Sequence, residues 1–442
     1  MIVWSVFAVG GVYVWAGAPV IVAAAVLAAI ARPMPWRLPD ARMLDGVLLT
    51  AVIAVAVQLV PLPPTIGTLV SPHADDVRSA LYVGAVYAIA WRPISLSPSS
   101  TAYSLALVAA ALVAFWSARS HLARERDSGI LRSVAFTGLF AALAAIVLSA
   151  TSDVSLIYGR WQPRDAGART FGPFVNRNHF ATWVLMACPL AAGYVAAALD
   201  ARRRSRAPST LAVWLESLGT GVVWVGIASV VMILALVMST SRSGLIGLGA
   251  SLVAAIWLGR DRRTIRITVV GGLLLIGVAA IVLAYVNVQP LVSRVEETVA
   301  TGAGGRPRVW QETTHVVRDF WPAGTGLGAY QTAMRAYQQT ERMMFINQAH
   351  NQYLQLLAEG GVLVTAPAIV AVAAFVRLFR ARLAHDTTSS VWLRIGGGAA
   401  LVAVAVQGIW ETGLRMPANG LLFAIAAAVA VHDPPQSRML DE

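Results

Sequence analysis

The sequence predicts an all-α integral membrane protein, a polytopic bundle of about 11–12 transmembrane helices with a folded, mostly helical loop on one face. Three observations lead there. Only 13% of the 442 residues are charged and 57% are hydrophobic, with a mean hydropathy of +0.66, whereas a soluble domain carries roughly 25% charged residues. Apolar runs recur along the chain at the roughly 20-residue length that crosses a hydrocarbon core. The basic residues, all 34 of them arginine, gather in short connections between those runs.

Taken in order, spans are expected at residues 2–31, 43–60, 102–118, 133–151, 179–199, 219–240, 243–259, 267–286, 361–378, 395–410 and 417–431. The first holds Gly10, Gly11 and Pro19 and is long enough to divide into two short segments, which would add a span. It lacks the short apolar core and small-residue cleavage site of a removable leader, so it is expected to stay as an anchor. Cys188 is the sole cysteine, so no intramolecular disulfide is expected. With no internal repeat and no separate soluble domain, residues 1–442 read as one transmembrane domain containing the large loop 287–350.

Orientation follows from the arginines. If ARPMPWRLPDAR (31–42) is cytoplasmic, alternation places SARSHLARERDSGILR, DARRRSRAP, RDRRTIR and VRLFRARLAH on the same side, as the positive-inside bias requires. The opposite face then receives the long connections 61–101, 152–178 and 287–350 and the short ones 239–242 and 411–416. In the largest, VSRVEETVATG and RVWQETTHVVRDFW read as helices and GAGGRP as a turn. AYQTAMRAYQQTERMMF reads as an amphipathic helix.

Three stretches on that face can carry chemistry. GARTFGPFVNRNHFATW packs Arg169, Asn176, Arg177, Asn178 and His179 among aromatic residues just before a span. An interfacial anchor is the simpler reading, since arginine and aromatic side chains gather at membrane interfaces, but the density of amide, guanidinium and imidazole groups exceeds what anchoring needs. In VMSTSRSGLIGLG, Arg242 sits in a very short turn between two spans, against the positive-inside bias. It is either a snorkelling arginine or, with Ser239, Thr240, Ser241 and Ser243 around it, an anion site at a helix start. The third stretch runs from TGAGGRPRVWQ, with Arg306 and Arg308, through PAGTGLGAY to HNQYLQLLAEGG. There His350, Asn351, Gln352 and Gln355 stand at the mouth of an apolar helix, and Gly360 and Gly361 let the chain turn into it. A solvated helix start is the alternative.

Other chemistries are disfavoured. The arginines are scattered and form no continuous basic face for nucleic acid. GAGGRP lacks the Lys-Ser/Thr of a phosphate-binding loop, and no strand precedes it. There is no HExxH, no helical pair of histidines and no DxD-like pair among Glu296, Glu297, Glu312, Asp319 and Glu341, so neither a metal nor a cofactor is expected. No GxSxG elbow supports a hydrolase. An arginine-rich, histidine-bearing, membrane-facing site suits transfer from a membrane-anchored phosphate or diphosphate. Guanidinium groups fork onto phosphate oxygens and neutralise the leaving group, and a histidine can accept the proton of an attacking hydroxyl.

FGPFVNRNHFA, STSRSG, the R-x-x-x-W of Arg306 to Trp310, PAGTGLGAY and His350-Asn351 ahead of Gly360-Gly361 resemble, in order, the core of the O-antigen ligase and O-antigen polymerase superfamily. The resemblance covers roughly residues 165–365 and extends to the rest by topology alone. It implies a GT-C-like multi-pass glycosyltransferase of the bacterial inner membrane, with its active site facing the periplasm. Such enzymes move a preassembled glycan from undecaprenyl diphosphate to a sugar hydroxyl with inversion and without metal. The implied roles fall on Arg242 and Arg306, which grip the diphosphate, and on His350, which activates the acceptor or helps hold phosphate. Arg308, Arg177, Arg169, Asn176, Asn178, His179 and Asn351 are further substrate-binding candidates.

QLVPLPPTIGTLVSPHADD and SLSPSSTAYSLAL resemble the exopolysaccharide-type polymerases more than the lipid A-core ligases, which gives a slight lean to polymerase. The acceptor is then a second lipid-linked repeat, with a chain-length regulator as partner; for a ligase it is lipid A-core. Two other classes compete. A flippase for a lipid-linked oligosaccharide would place its arginines between two repeated halves, and no repeat is visible; a recruiting scaffold would not need the histidine-bearing loop.

Overall fold

The computed structural model describes residues 1–33, 39–81, 91–124, 129–153, 155–164, 168–204, 219–260, 306–339 and 345–433. In lipid every backbone N–H and C=O must be satisfied within the chain, and the apolar runs accordingly become helices. In order these are α1 (Ile2–Phe7), α2 (Val14–Ala31), α3 (Arg42–Val57), α4 (Pro64–Val70), α5 (Ala74–Leu81), α6 (Pro98–Arg124), α7 (Gly129–Thr151) and α8 (Arg177–Arg204). There follow α9 (Gly219–Met238), α10 (Arg242–Gly259), α11 (Arg306–Asp319), α12 (Tyr330–Tyr337), α13 (Gln352–His385), α14 (Val391–Gln407) and α15 (Pro417–Val431). Two short strands, β1 (Pro61–Leu62) and β2 (Arg92–Pro93), pair antiparallel. This is an all-α polytopic membrane protein.

Among the described residues seven helices are long and apolar enough to cross a membrane: α2, α6, α7, α8, α9, α10 and α13. The expected spans at 43–60, 395–410 and 417–431 are the shorter helices α3, α14 and α15, of 16, 17 and 15 residues. The expected span 267–286 and the helix at VSRVEETVATG lie outside the described residues, as does most of GAGGRP.

Two expectations are corrected. The first apolar stretch is neither one span nor two: the short α1 gives way to a tight turn at Val9–Gly11, and α2 alone is of spanning length. Gly10 and Gly11 have φ of +67° and +75°, and a Cβ on them would stand 2.9 Å from the Phe174 ring and 2.8 Å from Pro417. The break therefore lets the N-terminal backbone lie against two other elements. The amphipathic helix expected to run to Phe345 stops at Tyr337, where the chain leaves α12 and Gln339 N–H donates to Glu312 Oε1 at 2.9 Å.

The core is built on α8, whose Phe180, Trp183, Leu185, Met186 and Leu190 are fully buried among α7, α9, α14 and α15. Between helices in a bilayer, close packing replaces the hydrophobic drive, so small residues mark the contacts. A Cβ on Gly193 would come within 2.6 Å of the Trp392 carbonyl oxygen, so the α8–α14 contact requires glycine there. Asp45, fully buried on α3, accepts from Trp116 Nε1 at 2.9 Å and pairs with Arg119 at 2.7 Å on α6.

The two ends of the bundle differ. At one end Arg394 pairs with Asp386 at 2.8 Å, Arg382 pairs with Asp40 and Asp433, and Arg204 donates to the Thr387 carbonyl. At the other end meet the starts of α8, α10, α13 and α15 and the ends of α9 and α14, and there lies the polar cluster described next.

Candidate active site

α13 delivers the histidine. Its first turn is capped by Asn351, whose side-chain oxygen accepts from the N–H groups of Tyr353 and Leu354 at 3.0 and 2.9 Å; the cap satisfies two otherwise orphaned donors. His350 immediately before it has φ of +49°, a left-handed conformation that is strained for a residue with a Cβ. The neighbouring backbone is held on both sides: Ala349 N–H donates to Gln355 Oε1 at 2.7 Å, and Trp310 Nε1 donates to the Ala349 carbonyl at 2.9 Å. The R-x-x-x-W spacing thereby acquires a meaning. Residues four apart share one face of a helix, so on α11 Trp310 pins the chain beside His350 while Arg306 reaches into the site.

Both converge on a residue absent from the sequence-based candidates. Glu411, 1% exposed, lies in the turn between α14 and α15. Its Oε2 accepts from Asn178 Nδ2 at 2.6 Å and stands 3.9 Å from Arg306 Nη2. Its Oε1 accepts from Thr412 N–H at 3.1 Å and faces His350 Nδ1 at 3.5 Å and His179 Nε2 at 4.0 Å. Burial alone would raise its pKa, but the imidazoles of His350 and His179 and the Arg306 guanidinium outweigh burial and pull it down to about 2. Glu411 is therefore an anion at neutral pH.

The α8 start and the α9–α10 turn close the other wall. Asn178 Oδ1 accepts from Ser241 Oγ at 2.8 Å, and that same oxygen of Ser241 caps α10 by accepting from Gly244 N–H. Arg242, half-buried, is the first residue of α10, and among the described residues its guanidinium has neither a hydrogen bond nor an ion pair. Arg177 donates to Thr240 Oγ1 at 3.1 Å, covering the left-handed turn at Thr240. Asn176 accepts from Asn178 N–H at 2.8 Å. Arg169 and Arg308 are exposed, and neither is joined to Glu411.

PAGTGLGAY turns out to be a splice. Gly361, with φ of +53° and ψ of −155°, breaks α13 roughly two and a half turns past its polar start, and the carbonyls freed at Ala358 and Glu359 accept from the N–H groups of Thr325 and Gly326 at 2.9 and 3.0 Å. Gln58 Nε2 donates to the carbonyls of Ala323 and Glu359, and Gln58 Oε1 accepts from Leu327 N–H. Beyond Glu411 on the same turn, Thr412 donates to Gln348, and Arg415 pairs with Glu359 at 3.4 Å. On that side opens a cavity of about 600 Å³, lined by Gln331, Asn347, Gln348, Gln352, Gln355 and Arg415 above and by apolar residues of α2, α6 and α15 below.

Residues 227–369 match the family model described as O-antigen ligase. That segment, about a third of the chain, is similar to the O-antigen ligase family. No curated protein matches the chain. The O-antigen ligase segment holds Arg242, Arg306 and His350, while Asn178, His179, Glu411 and Arg415 lie outside it in sequence and complete the cluster in space. Glu411 had one usable signal: WETGLRMP sets a glutamate and an arginine in a tight turn between two spans, the same anomaly that singled out Arg242.

Proposed function

We propose that this protein is an inverting, metal-independent glycosyltransferase of the bacterial inner membrane. It moves a preassembled glycan from undecaprenyl diphosphate to a sugar hydroxyl at the periplasmic end of the bundle, in O-antigen or exopolysaccharide assembly. One observation carries the reading: Arg306 and His350 converge on one buried carboxylate, which Asn178 joins to Ser241 at the start of the helix that Arg242 opens, and the Arg242 guanidinium has no hydrogen bond or ion pair among the described residues. A ligand with two phosphate groups supplies that missing partner, and guanidinium forks suit it.

In the proposed step the acceptor oxygen attacks the anomeric carbon from the face opposite the diphosphate. The new carbon–oxygen bond forms as the bond to the phosphate oxygen breaks, and that bond's electron pair leaves with the diphosphate. Arg242 and Arg306 neutralise the leaving group, and the proton of the acceptor hydroxyl passes to Nε2 of His350. Arg177 and Asn176 shape the donor pocket. The amide-lined cavity beside Arg415 gives the acceptor sugar a polar seat and its lipid an apolar channel.

Two acceptors fit this chemistry. The segments 58–76 and 95–107 lean towards a polymerase, with a second lipid-linked repeat as acceptor, whereas the family description favours a ligase. Purified protein incubated with lipid-linked repeats alone yields a ladder if it is a polymerase and yields product only after addition of lipid A-core if it is a ligase. No transfer in either mixture overturns the reading. Transfer is expected to persist in EDTA, and its loss would count against arginine-based catalysis.

A further inference from the structure

We propose that Glu411, outside the O-antigen ligase segment, is the positioning residue for His350: it fixes the ring with Nδ1–H towards its carboxylate and leaves Nε2 to face the acceptor. This deepens the transferase reading and rests on it. A carboxylate buried at a membrane protein's edge is costly unless its neighbours compensate it, and here the compensation is divided between its two oxygens. Oε2 accepts from Asn178 and stands 3.9 Å from Arg306, and Oε1 accepts from the Thr412 N–H and faces His350 Nδ1 at 3.5 Å and His179 Nε2 at 4.0 Å.

An ionised carboxylate only accepts hydrogen bonds, so each ring nitrogen turned towards it must carry a hydrogen. For His350 this selects the Nδ1–H tautomer and leaves the Nε2 lone pair free, as proton acceptance from a hydroxyl demands. Asn178 is oriented to match, because Ser241 donates to its oxygen and so turns its amide N–H towards Glu411. The two histidines are not equivalent. The His179 side chain is 7% exposed and that of His350 35%, so His350 is the one that meets a ligand. Trp310 and Asn351 already fix the chain on either side of it; rotation of the ring is the freedom that remains, and Glu411 removes it. The positive charge His350 acquires in transfer then forms 3.5 Å from a carboxylate oxygen.

The test uses full-length protein in detergent or nanodiscs, with ¹⁵N-labelled histidine and His350 assigned by difference from H350Q. In the wild type the ring is expected as Nδ1–H, and in Glu411→Gln it becomes a tautomer mixture. With an undecaprenyl diphosphate-linked glycan as donor, E411Q should lower kcat about 100-fold with KM changed less than about threefold, and Glu411→Asp should recover part of the rate. A wild-type His350 found as Nε2–H overturns the proposal without any variant, and so does an E411Q protein with unchanged tautomer and kcat. If E411Q does not fold, the wild-type tautomer and the E411D rate decide. If the wild type transfers nothing from that donor, the functional reading fails, while the ring measurement still decides the role of Glu411.

Discussion

His350 is held by a left-handed backbone, a capped helix start and an indole, and its imidazole faces a buried anion. On the proposed mechanism His350→Ala, Arg242→Ala and Arg306→Ala each lower transfer by about 10²–10³-fold, the range for removing one group that stabilises developing charge. Insertion and the size-exclusion profile should be retained; activity within tenfold of wild type would remove the residue from the mechanism. Arg242→Lys and Arg306→Lys should restore little, because an ammonium cannot grip two phosphate oxygens at once. Among the other candidates the structure separates those in the cluster from those on the surface. Asn178 and His179 touch or face Glu411, while Arg308 is exposed and should tolerate alanine with a far smaller loss.

At the scale of elements, the turn from Gly408 to Met416 joins the start of α8, α11 and the mouth of α13 through Glu411, Thr412 and Arg415. The Glu411 carboxyl is held at about 2 in the folded protein, against about 4.3 in an unstructured chain. A depressed folded value means stability that is complete above about pH 4.3 and lost as pH falls towards 2, on the order of 3 kcal/mol in all. Between pH 5 and 3 the melting temperature of the wild type should therefore fall more steeply than that of E411Q; parallel curves would show that the carboxylate is not linked to folding.

The break at Gly361 gives a second prediction at this scale. A Cβ there would collide with the Pro322 carbonyl at a φ that side chains rarely adopt, so Gly361→Ala should cost about 2 kcal/mol or more and loosen the PAGTGLG splice. A melting temperature equal to wild type would refute it. These contacts also show what the sequence could disclose. Spans were legible because their length and composition are dictated by the bilayer, and Arg242 because a charge in a tight membrane turn is anomalous. Glu411 is as anomalous, but its side-chain partners lie 61 to 233 residues away in the chain, and no spacing rule reaches that far. The glycine run was visible as a motif, yet its role depends on carbonyls freed by a kink in a helix that reads as continuous.

For the whole molecule, Arg204, Arg382 and Arg394 lie at one end of the bundle and the cluster around Glu411 at the other. If the positive-inside bias holds here, the cluster faces away from the cytoplasm. The chain is suited to a direct test, because Cys188, its one cysteine, is 5% exposed within α8. A membrane-impermeant maleimide should leave the wild type unlabelled in spheroplasts. Ser155→Cys, in the exposed connection between α7 and α8, should label in intact spheroplasts. Thr387→Cys, exposed at the opposite end between α13 and α14, should label only after the membrane is opened. The reverse pattern would place the arginine cluster on the periplasmic side and the histidine on the cytoplasmic side. A periplasmic acceptor could then not reach Nε2 of His350, and the proposed reaction would have to be abandoned even if every arginine variant were inactive.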